Sequence, residues 1–146
     1  MRTALRAGLT VLASVELVLG GWTLLFPASF YAGVPTVDLT PPFSEHLFRD
    51  FGGATLGLAL VLGAAAVWLE KRLVTIALLA YLAFSAPHLL FHLGHLSGAN
   101  ATEALVLVAS LVASVVLPVG LLIAVGRSRA DGVQAAVGTT DGWSRR

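Results

Sequence analysis

The sequence predicts an all-α protein, an antiparallel up-down bundle of four transmembrane helices with both termini in the cytoplasm. Three observations carry that reading. First, 57% of the 146 residues are hydrophobic and only 12% are charged, whereas soluble domains run at about 45–50% apolar and about 25% charged. Second, four stretches are long and apolar enough to cross a ~30 Å hydrocarbon core, which takes about 20 residues. Third, eight of the nine Lys and Arg residues fall on one side of those stretches. The same composition excludes a soluble enzyme, a disordered chain and a nucleic-acid binder, whose phosphate contacts need a basic surface. The absence of Cys excludes a disulfide framework and a thiolate metal site.

The first span runs from about Leu5 to Phe26 and stops at Pro27. Arg2 and Arg6 precede it as they would a signal peptide, but Glu16 interrupts the apolar run and no Ala-x-Ala site follows, so the segment is read as a retained span. The segment from Pro27 to Pro42 is rich in Pro, Gly and Thr. It is expected to lie as a cap over the bundle, with Phe30 and Tyr31 at headgroup level, where aromatic rings sit well. The second span runs from about Ser44 to Leu69, with Arg49 and Asp50 near its start. The Glu70-Lys71-Arg72 turn then makes spans two and three neighbours. The third span runs from about Leu73 to Leu96 and contains Pro87. Ser97-Gly98 ends it, and Thr102 is expected to cap the fourth span, from about Ala104 to Gly126. Residues 1–126 thus form the membrane domain. Residues 127–146, poor in apolar side chains, read as a disordered cytoplasmic tail.

Orientation follows from the basic residues. Arg2 and Arg6, Lys71 and Arg72, Arg127 and Arg129, and Arg145 and Arg146 all mark one face. The positive-inside rule places that face in the cytoplasm of an inner (plasma) membrane protein. Arg49 is the exception on the other side.

Ionisable groups inside hydrocarbon cost at least ~2.5–3.5 kcal/mol each on insertion scales, so they turn inward and pair. Glu16 lies near the middle of span one, and His46, Arg49 and Asp50 lie in the outer third of span two. At about 100° per residue, His88, His92 and His95 fall within a stripe roughly 60° wide, which Tyr81 and Ser85 continue inward. His46, Arg49, Asp50, Gly53 and Gly57 share a face of span two, and Gly53 with Gly57 would admit a neighbouring backbone. Ala13, Glu16, Gly20 and Thr23 line one side of span one, and Ser110 and Ser114 do so on span four. The pattern predicts an outward-facing pocket of Glu16, Arg49, Asp50, His88 and His92, with Glu16 as its floor.

Several readings of this pocket stay open. His88 and His92, spaced i and i+4, suit a divalent metal ion, with His95 or His46 and a carboxylate (Glu16, Asp50 or Glu45) completing the shell. Haem is a variant, with one histidine of the stripe axial and His46 across the bundle. A small polar ligand, a carboxylate–histidine proton relay and acid–base chemistry on a lipid are further uses. Against them stands a bundle in which Arg49 pairs with Asp50, Glu16 locks packing, and His46 and His95 are surface residues. Such a chain would be an accessory subunit with no chemistry of its own, bound to a membrane protein partner or a second copy.

The segments His46-Leu-Phe-Arg49-Asp50-Phe-Gly52-Gly53 and Pro87-His88-Leu-Leu-Phe-His92-Leu-Gly-His95-Leu96 resemble those of small four-helix membrane proteins of actinobacteria. The layout is similar to the broader DoxX-like group: four spans, the first with an acidic residue followed by Gly, here Glu16 and Gly20-Gly21. The resemblance implies the four-span architecture and a membrane redox-related role, often as a subunit. The lack of Cys departs from any thiol-exchange relative. Reporter fusions at Arg146 test the orientation: a cytoplasmic reporter is expected to be active and a periplasmic one silent, and the reverse overturns the assignment.

Overall fold

The computed structural model describes residues 1–39 and 42–140, with side chains to residue 127 except that of residue 39. Among these residues the chain is entirely helical, in the order α1 (Arg2–Leu25), α2 (Pro27–Gly33), a 3-10 turn (Val37–Leu39), α3 (Glu45–Trp68), α4 (Lys71–Leu93) and α5 (Ala101–Thr140). Four helices are long and apolar enough to cross a membrane: α1, α3, α4 and residues Ala101–Arg127 of α5. A 24-residue helix such as α1 is about 36 Å long, beyond the ~30 Å of a hydrocarbon core.

The helix ends follow local chemistry. Pro27 cannot continue α1 but suits the first turn of α2. Ser44 caps α3, its hydroxyl accepting from the Leu47 N–H at 3.4 Å. Leu69 adopts the left-handed conformation (φ 52°) that closes α3 and starts the turn into α4. The cap of α5 is Asn100 rather than Thr102. Its side-chain oxygen accepts from the N–H groups of Thr102 and Glu103, both at 3.0 Å, and Glu103 accepts from the Asn100 N–H at 2.9 Å. This is a reciprocal capping box. Helix α4 ends at Leu93, so His95 falls in the following turn. The tail expected to be disordered overlaps the end of α5, and residues 141–146 lie outside the described part.

Helix α1 packs most extensively on α3, and α4 on α5; α3 also contacts α4, and α5 closes against α1. The α1–α3 contact is backbone on backbone. A Cβ on Gly52 would stand 2.5 Å from the Leu24 nitrogen, and one on Gly20 would stand 3.0 Å from the Gly52 carbonyl oxygen. Only glycine fits both positions. Gly53 and Gly57, expected at this contact, have nothing within 4 Å. The buried face of α3 runs through Phe48, Gly52, Thr55, Ala59, Leu62 and Ala66, turned away from the face that carries the charges.

Two arginines close the pair at its ends. Arg6 of α1 donates to the Ala66 carbonyl at 3.1 Å and to that of Val67 at 3.4 Å, at the end of α3. Arg49 of α3 donates to the Leu24 carbonyl at 2.6 Å, at the end of α1. The last carbonyls of a helix lack intrahelical partners and carry the negative end of its dipole. Each helix of the pair therefore caps the other.

At the end of the bundle carrying Arg6, Lys71 and Arg72 (the basic end), Leu9, Leu12, Leu62, Val74, Ala77, Leu78 and Leu121 form a closed apolar core. The opposite, loop end is covered by α2 and the 3-10 turn. There Phe30 meets Trp22 edge-on at 5.5 Å and Phe48 at 6.1 Å, and Tyr31 meets Phe43 at 5.4 Å. Phe30 is thus buried in this cluster. Large apolar side chains such as Val18, Leu60, Trp68, Ile76, Leu90 and Leu105 stand exposed, an amount of apolar surface unusual for a domain that faces water.

Gly52→Ala is expected to destabilise the protein by about 1–3 kcal/mol or more, because the clash is with backbone and not with a flexible side chain. Gly53→Ala is expected to change stability by less than ~0.5 kcal/mol or to raise it through helix propensity. Reversible unfolding in mixed detergent micelles measures both, and equal effects would contradict the Gly20–Gly52 contact.

Candidate functional site

Between the α1–α3 and α4–α5 pairs, on the loop side of the apolar core, lies a cavity of about 620 Å³. Its size falls in the usual range for small-molecule sites, about 300–1,000 Å³. Helix α1 contributes Val15, Glu16 and Leu19; α3 contributes Leu47, Phe48, Phe51 and Thr55. Helix α4 adds Tyr81, Phe84, Ser85, His88 and His92, and α5 adds Leu107, Ser110, Leu111 and Ser114. Phe30 and residues Val34, Pro35, Thr36 and Val37 form the roof. The surface is thus mainly apolar and aromatic, with polar groups grouped along α1 and α4.

The spacing of these side chains explains their convergence. Tyr81, Ser85, His88 and His92 succeed one another at intervals of four, three and four, which keeps them on one face of α4. Glu16 sits one turn before Gly20, so the close α1–α3 contact fixes its direction.

Glu16 is only 3% exposed, yet among the described residues no hydrogen bond to the protein satisfies its carboxyl group. Tyr81, equally buried, lines the same cavity. Ser85 is 2% exposed and its Oγ has no hydrogen-bond partner. Other helical hydroxyls bond back to their own helix: Thr23 donates to the Leu19 carbonyl at 2.6 Å, Ser110 to that of Leu107 at 2.8 Å and Ser114 to that of Leu111 at 2.7 Å. His88 stacks on Phe84 (5.5 Å, 18°) and meets His92 edge-on at 4.6 Å. Neither imidazole has a hydrogen bond from the described residues. In the roof, Thr36 holds a positive φ of 75°, an uncommon state for a β-branched residue and one that clusters at ligand sites.

Of the residues expected in the pocket, Glu16, His88 and His92 line it, whereas Arg49 and Asp50 do not. Arg49 lies on the outer face of α3, bonded to Leu24 and paired with Glu45 at 2.8 Å. Asp50 pairs with His46 at 3.3 Å, both largely exposed. These are i,i+4 pairs in the first turns of one helix, and Arg49 is also engaged by the end of α1. His95 stacks on Phe91 at 4.1 Å, with its Nδ1 2.7 Å from the Phe91 carbonyl oxygen.

The four histidines expected as metal or haem ligands therefore do not converge. Among the described residues no group of three His, Asp or Glu side chains is placed to hold a metal ion. A haem with axial histidines from opposite sides has no second histidine facing His88, because His46 points away. Among the described residues, the metal shell and the two-histidine haem arrangement expected from the sequence are not formed.

Some lining residues escaped the sequence reading. Phe48, Phe51 and Thr55 recur at helical spacing on α3, a signal masked by the adjacent charges. The roof residues Val34 to Val37 carried no periodic signal at all. No protein-family model, curated protein or solved structure matches the chain.

Ser85→Ala is expected to leave the ligand-free protein as stable as the wild type, or to raise its stability by up to ~1 kcal/mol, since a buried hydroxyl without a partner is replaced by an apolar group. Unfolding in mixed micelles provides the check. A clear loss of stability would mean that Ser85 has a structural partner.

Proposed function

We propose that the chain is a small integral membrane protein of the inner (plasma) membrane that binds a small amphipathic molecule in the cavity between its helix pairs. In this reading both termini are cytoplasmic, the bundle is antiparallel and the cavity lies in its outer half. The observation that carries it is the buried Ser85 hydroxyl, which has no hydrogen-bond partner among the described residues and faces the same cavity as the buried carboxyl of Glu16, with no Lys or Arg in the lining. Native structures pair nearly all such groups, and an exception calls for an explanation. A ligand with one polar head and an apolar body supplies it: the head bonds Glu16, Ser85 and the imidazoles, and the body fills the space among Phe30, Phe48, Phe51 and Phe84.

The arrangement favours binding over transport across the membrane. Below Glu16 the core of Leu9, Leu12, Leu62, Val74 and Leu78 is apolar, which supports no polar path through the bundle. The redox-related role implied by the DoxX-like resemblance is compatible with such a site if the ligand is itself a redox carrier or if the chain serves a redox partner.

Native mass spectrometry of protein extracted in polymer-bounded native membrane discs tests this reading. A small-molecule adduct at one per chain is expected for the wild type, absent from Leu111→Trp, in which an indole fills the cavity from a half-buried position. Wild-type protein carrying only bulk phospholipid, with the same occupancy in Leu111→Trp, would overturn the proposal and leave the accessory-subunit reading in its place.

A further inference from the structure

The lining of the cavity is selective in charge as well as in shape. Five aromatic rings face it, those of Phe30, Phe48, Phe51, Tyr81 and Phe84. Among the described lining residues there is one carboxyl group, that of Glu16, and no Lys or Arg. The only other ionisable groups are the Tyr81 hydroxyl and the imidazoles of His88 and His92. The one basic side chain at this end of the bundle, Arg49, is engaged by Leu24 and Glu45 on the outside.

A cavity that combines one carboxyl group with several aromatic rings is the complement of an organic cation. The carboxylate supplies the opposite charge, and the rings turn their negative faces to the rest of the cation. An anionic ligand would be repelled by Glu16, and a neutral hydrocarbon would leave it unpaired in a site of low dielectric. Access sharpens the class further. Val15, 45% exposed, and Ser110, also exposed, both line the cavity, so it reaches the surface between α1 and α5, on the face surrounded by apolar side chains. A ligand arriving there has dissolved in the bilayer first.

Resting on the proposed ligand-binding role, we infer that the cavity takes a hydrophobic organic cation from the bilayer, with Glu16 as its counter-ion and the Phe48, Phe51 and Phe84 rings around its apolar body. The test uses radiolabelled tetraphenylphosphonium and the neutral triphenylphosphine oxide, with the protein in phosphatidylcholine nanodiscs. Saturable binding of the phosphonium at one per chain is expected, at least tenfold tighter than that of the oxide. Glu16→Gln is expected to weaken the phosphonium at least tenfold and the oxide hardly at all, with Glu16→Asp intermediate. If the oxide binds as tightly as the phosphonium, the charge selection is overturned while the cavity stands as a ligand site. If neither binds saturably, the inference falls together with the reading beneath it. Should Glu16→Gln fail to fold, the wild-type preference for cation over neutral analogue decides the matter alone.

Discussion

The contact between Gly20 and Gly52 governs the arrangement around it. In hydrocarbon, helices gain nothing from leaving lipid for one another, and association depends on close packing and hydrogen bonds. Here α1 and α3 approach until the backbone of one touches the backbone of the other. Arg6 and Arg49 add charge-assisted bonds to the carbonyl ends of the opposite helix. A contact held at its crossing and at both ends leaves little freedom of rotation for either helix. It is this fixed rotation that aims Glu16, one turn from Gly20, at the α4–α5 pair, and that places Phe48 where α2 can rest on it.

The connections repeat the asymmetry of the interior. At the basic end, α3 passes into α4 through a short turn at Leu69 and Glu70, and Leu121 of α5 packs on Gly8 of α1. The helices are held together there, and apolar side chains fill the space between them. At the loop end the connections are longer, residues 26–44 and 94–100, and the first of them folds back as α2 and the 3-10 turn. The aromatic cluster of Trp22, Phe30, Tyr31, Phe43 and Phe48 seats that segment over the opening. Cavity and roof are thus two consequences of one choice: tight closure at one end and an inserted segment at the other.

The helices, and the α1 and α4 faces of the site, were legible in the sequence. Their apolar runs are long, and Glu16, Gly20 and Thr23, like Tyr81, Ser85, His88 and His92, recur at helical spacing. The α3 face was not legible in the same way. Charge drew attention to His46, Arg49 and Asp50, but these residues occupy the first turns of the helix, where i,i+4 partners and the end of α1 satisfy them. The face that packs is announced by small residues, Gly52, Thr55 and Ala59, interleaved with Phe48 and Leu62, a quieter pattern than a row of charges. Gly53 and Gly57 matched the spacing of a packing motif equally well, and only the partner helix decides between the two registers. Helical spacing carries the α4 stripe on to His95 although Gly94 ends the helix, and the bond from the Glu103 N–H to the Asn100 side chain, which makes Asn100 rather than Thr102 the cap, leaves no mark in hydropathy.

Three departures from ordinary local chemistry meet on the surface of one cavity. Glu16 is a buried carboxyl without a basic partner, Ser85 a buried hydroxyl without an acceptor, and Thr36 a β-branched residue with φ of 75°. They lie on α1, on α4 and in the roof, so no single packing accident in one element accounts for them. The other left-handed non-glycine residue, Leu69, has a plain structural use in closing α3, and the charges of α3 are paired. Sequences that specify one fold keep local preference and tertiary packing consistent, and they break that consistency where function requires it. A bundle needing only to hold together would gain stability from an apolar residue in place of Glu16 and an alanine in place of Ser85. That both polar groups stand in this chain and line the same space as five aromatic rings is the physical ground for reading the cavity as a site rather than as a packing defect.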